Sequence, residues 1–86
     1  MTVAEKISLL EGIFRQNSNQ GILTWGSIPT GYRWTCTSHA TAIGLAKVLI
    51  SHVELLGLNR STFPFRFEPH EGTWTVIFEP VDDSPE

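Results

Sequence analysis

The sequence predicts an α+β fold in the order α-β-β-α-β-β, with a four-stranded antiparallel or mixed sheet and two helices packed on one face. Three observations predict it. Apolar residues recur at helical spacing in two segments, Val3 to Phe14 and Ile43 to Leu56. Each segment is followed by two short runs in which bulky apolar and polar residues alternate across a turn-forming cluster. The two hairpin stretches also match in register. Leu23, Trp25, Pro29, Trp34 and Thr35 line up without a gap with Phe63, Phe65, Pro69, Trp74 and Thr75, 40 residues further on. The windows 23–39 and 63–79 share three identities, where average composition gives about one. A helix and a hairpin made twice is the architecture this suggests.

The first helix opens on Thr2-Val3-Ala4-Glu5, a capping-box pattern in which hydroxyl and carboxylate each satisfy the other residue's amide. Val3, Ile7, Leu10, Ile13 and Phe14 form its apolar stripe, and Asn17-Ser18-Asn19 should end it. Residues 22–28 and 32–37 alternate as a hairpin around Pro29-Thr30-Gly31. Thr37 or Ser38 can cap the second helix. Ile43, Ala46, Ile50, Val53 and Leu56, widened by Ala42 and Leu49, form its expected buried stripe. Gly57 and Leu58 are placed to close it as a Schellman ending. Residues 63–68 and 73–79 form the second hairpin around Pro69-His70-Glu71-Gly72, with Pro64 marking an edge strand.

The phase of the strands assigns the faces. Leu23, Trp25, Trp34, Phe63, Phe65, Phe67, Trp74 and Phe78 share the face expected against the helices. Thr24, Arg33, Thr35, Thr37, Arg66, Glu68, Thr73, Thr75, Ile77 and Glu79 share the other, with Ile22 and Ile28 at its margin. Joining the second and third strands through the second helix as a right-handed crossover makes them parallel. This connectivity is similar to a permuted ferredoxin-like sheet, its first strand moved to the end. The likeness concerns topology and implies no function.

Eighty-six residues make one domain, assigned to 1–79, with residues 80–86 an acidic tail expected to lack order. Net charge is −3, divided unevenly: residues 1–53 carry +2 and residues 54–86 carry −5. The six basic residues are scattered singly, so nucleic acid is a poor partner for this footprint. Glu5, Lys6 and Glu11 interrupt any signal-peptide core, and no apolar run approaches the ~20 residues that span a bilayer. A single cysteine closes no internal disulfide, and cytoplasm is the plain expectation.

Two chemistries compete with simple packing at one junction. Cys36 and His39 form a C-x-x-H pair at a strand-helix junction, a place that suits a metal ligand or a thiolate nucleophile. A structural zinc needs four ligands, however, and neither an oxyanion turn nor a third orienting group accompanies the pair. Cys36 also falls on the apolar strand face, where it packs as a small hydrophobe. No metal and no cofactor is therefore expected. The functional expectation is a non-catalytic protein-interaction or self-associating domain. Its open sheet face would be the contact surface, with Arg33, Thr35, Arg66 and Thr75 touching a protein partner or a second copy. The alternative is a small enzyme or ligand-binding protein that uses the Cys36–His39 junction. Both helices spend their stripes on the sheet in this reading, leaving ordinary charged outer faces.

Overall fold

The computed structural model describes residues 2–17 and 21–82. The expected turn residues Ser18 and Asn19, and residues 83–86 of the tail, lie outside these. Helix α1 spans Val3–Asn17, strands β1 and β2 span Ile22–Ile28 and Gly31–Cys36, and helix α2 spans His39–Leu55. A 3-10 turn at Arg60–Thr62 leads to β3, Phe65–His70, and β4, Thr73–Phe78. The sheet order is β1-β2-β4-β3, antiparallel at every pairing. Strands β2 and β3 consequently run parallel with β4 between them, as expected for the permuted ferredoxin-like connectivity.

Local chemistry sets the helix ends. The Thr2 amide donates to Glu5 Oε1 at 2.7 Å and the Glu5 amide to Thr2 Oγ1 at 3.1 Å, closing the capping box. These bonds from Thr2 hold the Glu5 carboxyl below its ordinary pKa. Ser38 caps α2 by accepting from the Thr41 amide at 3.1 Å. At the other end the Leu58 amide bonds Val53 O and the Gly57 amide bonds Glu54 O, the two bonds of a Schellman ending.

The helices cover one face of the sheet. Leu10, Ile13 and Phe14 of α1 and Ala42, Leu45, Ala46, Leu49 and Val53 of α2 meet Tyr32, Trp34, Cys36, Val76 and Phe78 in a buried core. The stripe of α2 differs from the expected one. Leu45 joins it, Ile43 and Ile50 are only half-buried, and Leu56 is exposed. Helix α2 is apolar around much of its circumference, so two overlapping stripes were available and contact with the sheet selected one.

Hairpin geometry also departs from the sequence reading. The first turn is the two-residue loop Pro29-Thr30, and Gly31 already belongs to β2. A Cβ at Gly31 would lie 1.7 Å from the Phe78 carbonyl oxygen, so only glycine allows β4 to approach here. The second turn is Glu71-Gly72, with φ of 50° and 87°, the signature of a type I′ turn. Pro69 therefore lies within β3, opposite Trp74. Phe63 and Pro64 precede that strand, yet Phe63 is buried and stacks on Phe78 at 5.8 Å.

These pairings show how the matched segments superpose. Thr35 and Thr75, 40 residues apart, face each other directly across β2 and β4. That pair is the only one in the ladder related by its own 40-residue offset, so a local dyad relating β2 to β4 passes through it. Trp25 pairs with Trp34, whereas Trp74 pairs with Pro69. The spatial counterpart of Trp25 is thus Pro69, 44 residues on, rather than Phe65. The gapless match holds for the inner strands and slips by four residues in the outer ones. An even slip leaves every side chain on its face, which is why the face assignment survives it.

One strand does change phase. A bulge between Ile22 and Thr24 leaves Leu23 unpaired, so Ile22 rather than Leu23 turns toward the core. Leu23 is 52% exposed. Trp25 lies on the helix side with its ring 6.2 Å from Phe14, but the helix layer stops short of it and leaves it 55% exposed.

Residues 80 and 81 of the expected tail are docked. Pro80 is buried, the Val81 amide donates to Thr62 O, and Lys6 Nζ donates to Val81 O. Lys6 is fully buried with its ammonium 5.3 Å from the centre of the Phe63 ring. No helix is long and apolar enough to cross a membrane among the described residues.

Candidate interaction surface

Period-2 geometry and the register bring the four expected contact residues onto one face, in two adjacent rows. One row runs Gly26, Arg33, Ile77, Arg66 across β1, β2, β4 and β3. The next runs Thr24, Thr35, Thr75, Glu68. The hydroxyls of Thr35 and Thr75 are 3.4 Å apart, so each can satisfy the other and the row's centre presents methyl groups and one shared hydrogen bond. Thr73 lies half-buried beyond them, and its hydroxyl donates to His70 O.

The two arginines differ in their surroundings. Arg66 Nε donates to Glu68 Oε2 and its Nη1 to Glu79 Oε1, both at 3.0 Å. Glu79 in turn accepts from Thr30 Oγ1 at 2.6 Å. The Thr30 hydroxyl, followed by the Arg66 charge, lowers the Glu79 pKa, while the Glu68 bond heads the causes that raise that of Arg66. The result is a polar strap from the β1–β2 turn to β3. Arg66 already has two carboxylates, which makes it a rim brace rather than an open donor. Arg33 is exposed and has no hydrogen bond or ion pair among the described residues, and its register neighbours are Gly26 and Ile77. Beside the strap, Pro64, Phe65, Arg66, Ile77 and Glu79 line a depression of about 320 Å³.

The Cys36–His39 junction has a different character. Cys36 is fully buried opposite Trp74, and burial pushes its thiol pKa up. The His39 ring leans on the Trp74 indole at 4.5 Å between centroids, and no hydrogen bond joins His39 to Cys36. A raised thiol without solvent or a base is the reverse of what a nucleophile needs. His52 Nδ1 donates to Val48 O on its own helix, and His70 is exposed at the end of β3. Among the described residues no three His, Cys, Asp or Glu side chains gather to hold a metal.

Sequence reasoning missed two features. Lys6 lies one turn before Leu10 and two before Ile13, so the helical period placed it on the buried stripe, although its charge argued for solvent. The outer helix faces are also not uniformly charged. Leu55 is 84% exposed, and Ser8, Leu9, Gly12, Ile13, His52 and Leu56 help line an apolar groove of about 440 Å³ between the helices.

Comparison with family models, curated proteins and solved structures gives no match to this chain.

Proposed function

We propose that this chain is a small non-catalytic protein-interaction domain that binds through the open face of its sheet. Arg33, Thr35 and Thr75 are the contact residues, and Arg66 holds the rim. The supporting observation is the asymmetry of the sheet. One face is spent on the helices, while the other carries paired threonines and an arginine without a polar partner among the described residues. The centre of this face, around Thr35, Thr75 and Ile77, has little charge to desolvate, and the free guanidinium of Arg33 can take a partner carboxylate through two parallel bonds. The partner is a protein that offers a carboxylate opposite Arg33, with a second copy also able to meet that description. A buried lone thiol that closes no internal disulfide suits a reducing compartment, and we place the domain in the cytoplasm. Chemistry at Cys36 and His39 draws no support from the geometry.

The test is capture of partners from the native host by the immobilised chain, with sedimentation to detect self-association. Arg33→Ala combined with Thr75→Lys alters the face. The new lysine falls opposite Glu68, so cross-strand attraction preserves the fold. Lys47→Glu, on exposed α2 surface, is the control. Partners retained by the wild type and the control but lost with the face variant support the proposal. Partners that persist on the face variant move the surface elsewhere, and a chain that captures nothing and stays monomeric overturns it.

A further inference from the structure

The two edges of the sheet are built differently. The β3 edge contains Pro69, follows Pro64 directly, and carries Arg66, Glu68 and His70. Proline and charge are the usual devices that keep an edge from pairing. The β1 edge reads Ile-Leu-Thr-Trp-Gly-Ser-Ile, with no proline and no charge. Period-2 geometry turns alternate amides and carbonyls of this strand away from β2, and the adjacent apolar side chains, Leu23 and Trp25, are both more than half exposed.

We infer that β1 pairs antiparallel with β1 of a second copy, which gives a dimer with one continuous eight-stranded sheet. Three points favour a copy of the chain as occupant. A two-fold contact sets a strand against itself, so charges on it come opposite or diagonal to their like near the dyad; β1 is neutral throughout and avoids that repulsion. The pairing also closes. Once the two β1 strands are joined, the outer edges are the blocked β3 strands, so growth stops at two rather than continuing as a fibre. Finally, the dyad stands perpendicular to the sheet, which puts both helix layers on one side. Trp25, which α1 leaves uncovered, then lies at the seam between those layers. The Leu23 bulge bends the start of the strand and confines pairing to residues 24–28. Both open faces stay uncovered, so this inference stands apart from the proposal above.

Sedimentation equilibrium at about 100 μM, with amide hydrogen exchange at high and low concentration, tests it. The expected mass is twice the chain mass of 9.6 kDa, with protection of β1 amides that rises with concentration. Ser27 is exposed on this strand. Ser27→Lys and Ser27→Glu should each be monomeric with a melting temperature close to wild type, and an equimolar mixture of the two should recover the dimer mass. Gly26→Glu, on the opposite face of the same strand, serves if Ser27 variants do not fold. This position has open space at its Cβ and Arg33 as its cross-strand neighbour, and a pairing confined to residues 24–28 sets it against its own copy. A monomeric wild type, or a dimer that survives these charges, overturns the inference. A dimer lost with Arg33→Ala and Thr75→Lys but kept with Ser27→Lys assigns self-association to the open face instead.

Discussion

Cys36 and Tyr32, four residues apart on β2, must both keep a proton to stay buried. Burial raises both above their ordinary values of 9.0 and 10.0, and the nearby Glu11 charge adds to the shift at Tyr32. A group whose folded pKa is raised contributes its stability in full below the unfolded value and loses it as pH climbs through the folded one. Stability should therefore hold level from neutral pH to about 9 on this account and decline above, first through the thiol and then the phenol. Urea midpoints measured from about pH 7 to 11 check this. Cys36→Ala should remove the earlier part of the decline and leave the later part. Native Cys36 should also resist a thiol reagent that modifies it at once in urea. Rapid native labelling would place the thiol in solvent and reopen its chemistry.

At the scale of the hairpins, Trp34 and Trp74 hold matched places in adjacent central strands but carry unequal loads. Trp34 is fully buried, with Phe14 at 5.0 Å and Phe65 edge-on at 5.9 Å between centroids. Its indole nitrogen has no hydrogen-bond partner among the described residues, a cost the surrounding aromatic packing must offset. Trp74 is half-buried, at the margin where His39 leans on it. Trp34→Ala should cost about 3–5 kcal/mol, as full removal of a buried aromatic does. Trp74→Ala should cost clearly less. Chemical denaturation of both variants decides it, and equal losses would mean that the inner strands are symmetric in energy as well as in register.

For the molecule as a whole, the first turn of α1 and the segment just after β4 form one unit. Lys6 reaches Val81 O while the Val81 amide reaches Thr62 O, so the segment after β4 closes the core near Phe63. A chain ending at Glu79 loses that carbonyl and strands part of the bonding of a buried ammonium, which is more damaging than loss of an ordinary surface contact. Its melting temperature should fall. Lys6→Met keeps the volume and removes the charge, so it should recover part of the loss in the shortened chain while changing the full chain little. The coupling between the two changes should lie in the range of about 0.5–3 kcal/mol seen for contacting groups. Strict additivity, measured by thermal melts of all four chains, would show that the segment is docked without bearing on Lys6.

Local properties were enough for much of the fold. Alternation and helical period determined the element order and the face on which Arg33, Thr35, Arg66 and Thr75 lie. Capping and turn residues such as Thr2, Glu5, Ser38 and Gly57 marked the helix ends, and proline marked β3 as an edge. A strand's period is two and its faces follow from it, so even a four-residue slip between hairpins left those assignments intact. Tertiary structure alone decided the rest. The Leu23 bulge exchanged Ile22 for Leu23, because an unpaired residue reverses phase without any mark in composition. Packing against the sheet chose between two overlapping stripes on α2. The fate of Arg66 depended on Glu79, 13 residues away, and on Thr30, across the sheet, and the burial of Lys6 depended on a carbonyl 75 residues further along the chain. Long-range pairs of this kind have no periodic signature, because what joins them is the meeting of elements rather than the pattern within one.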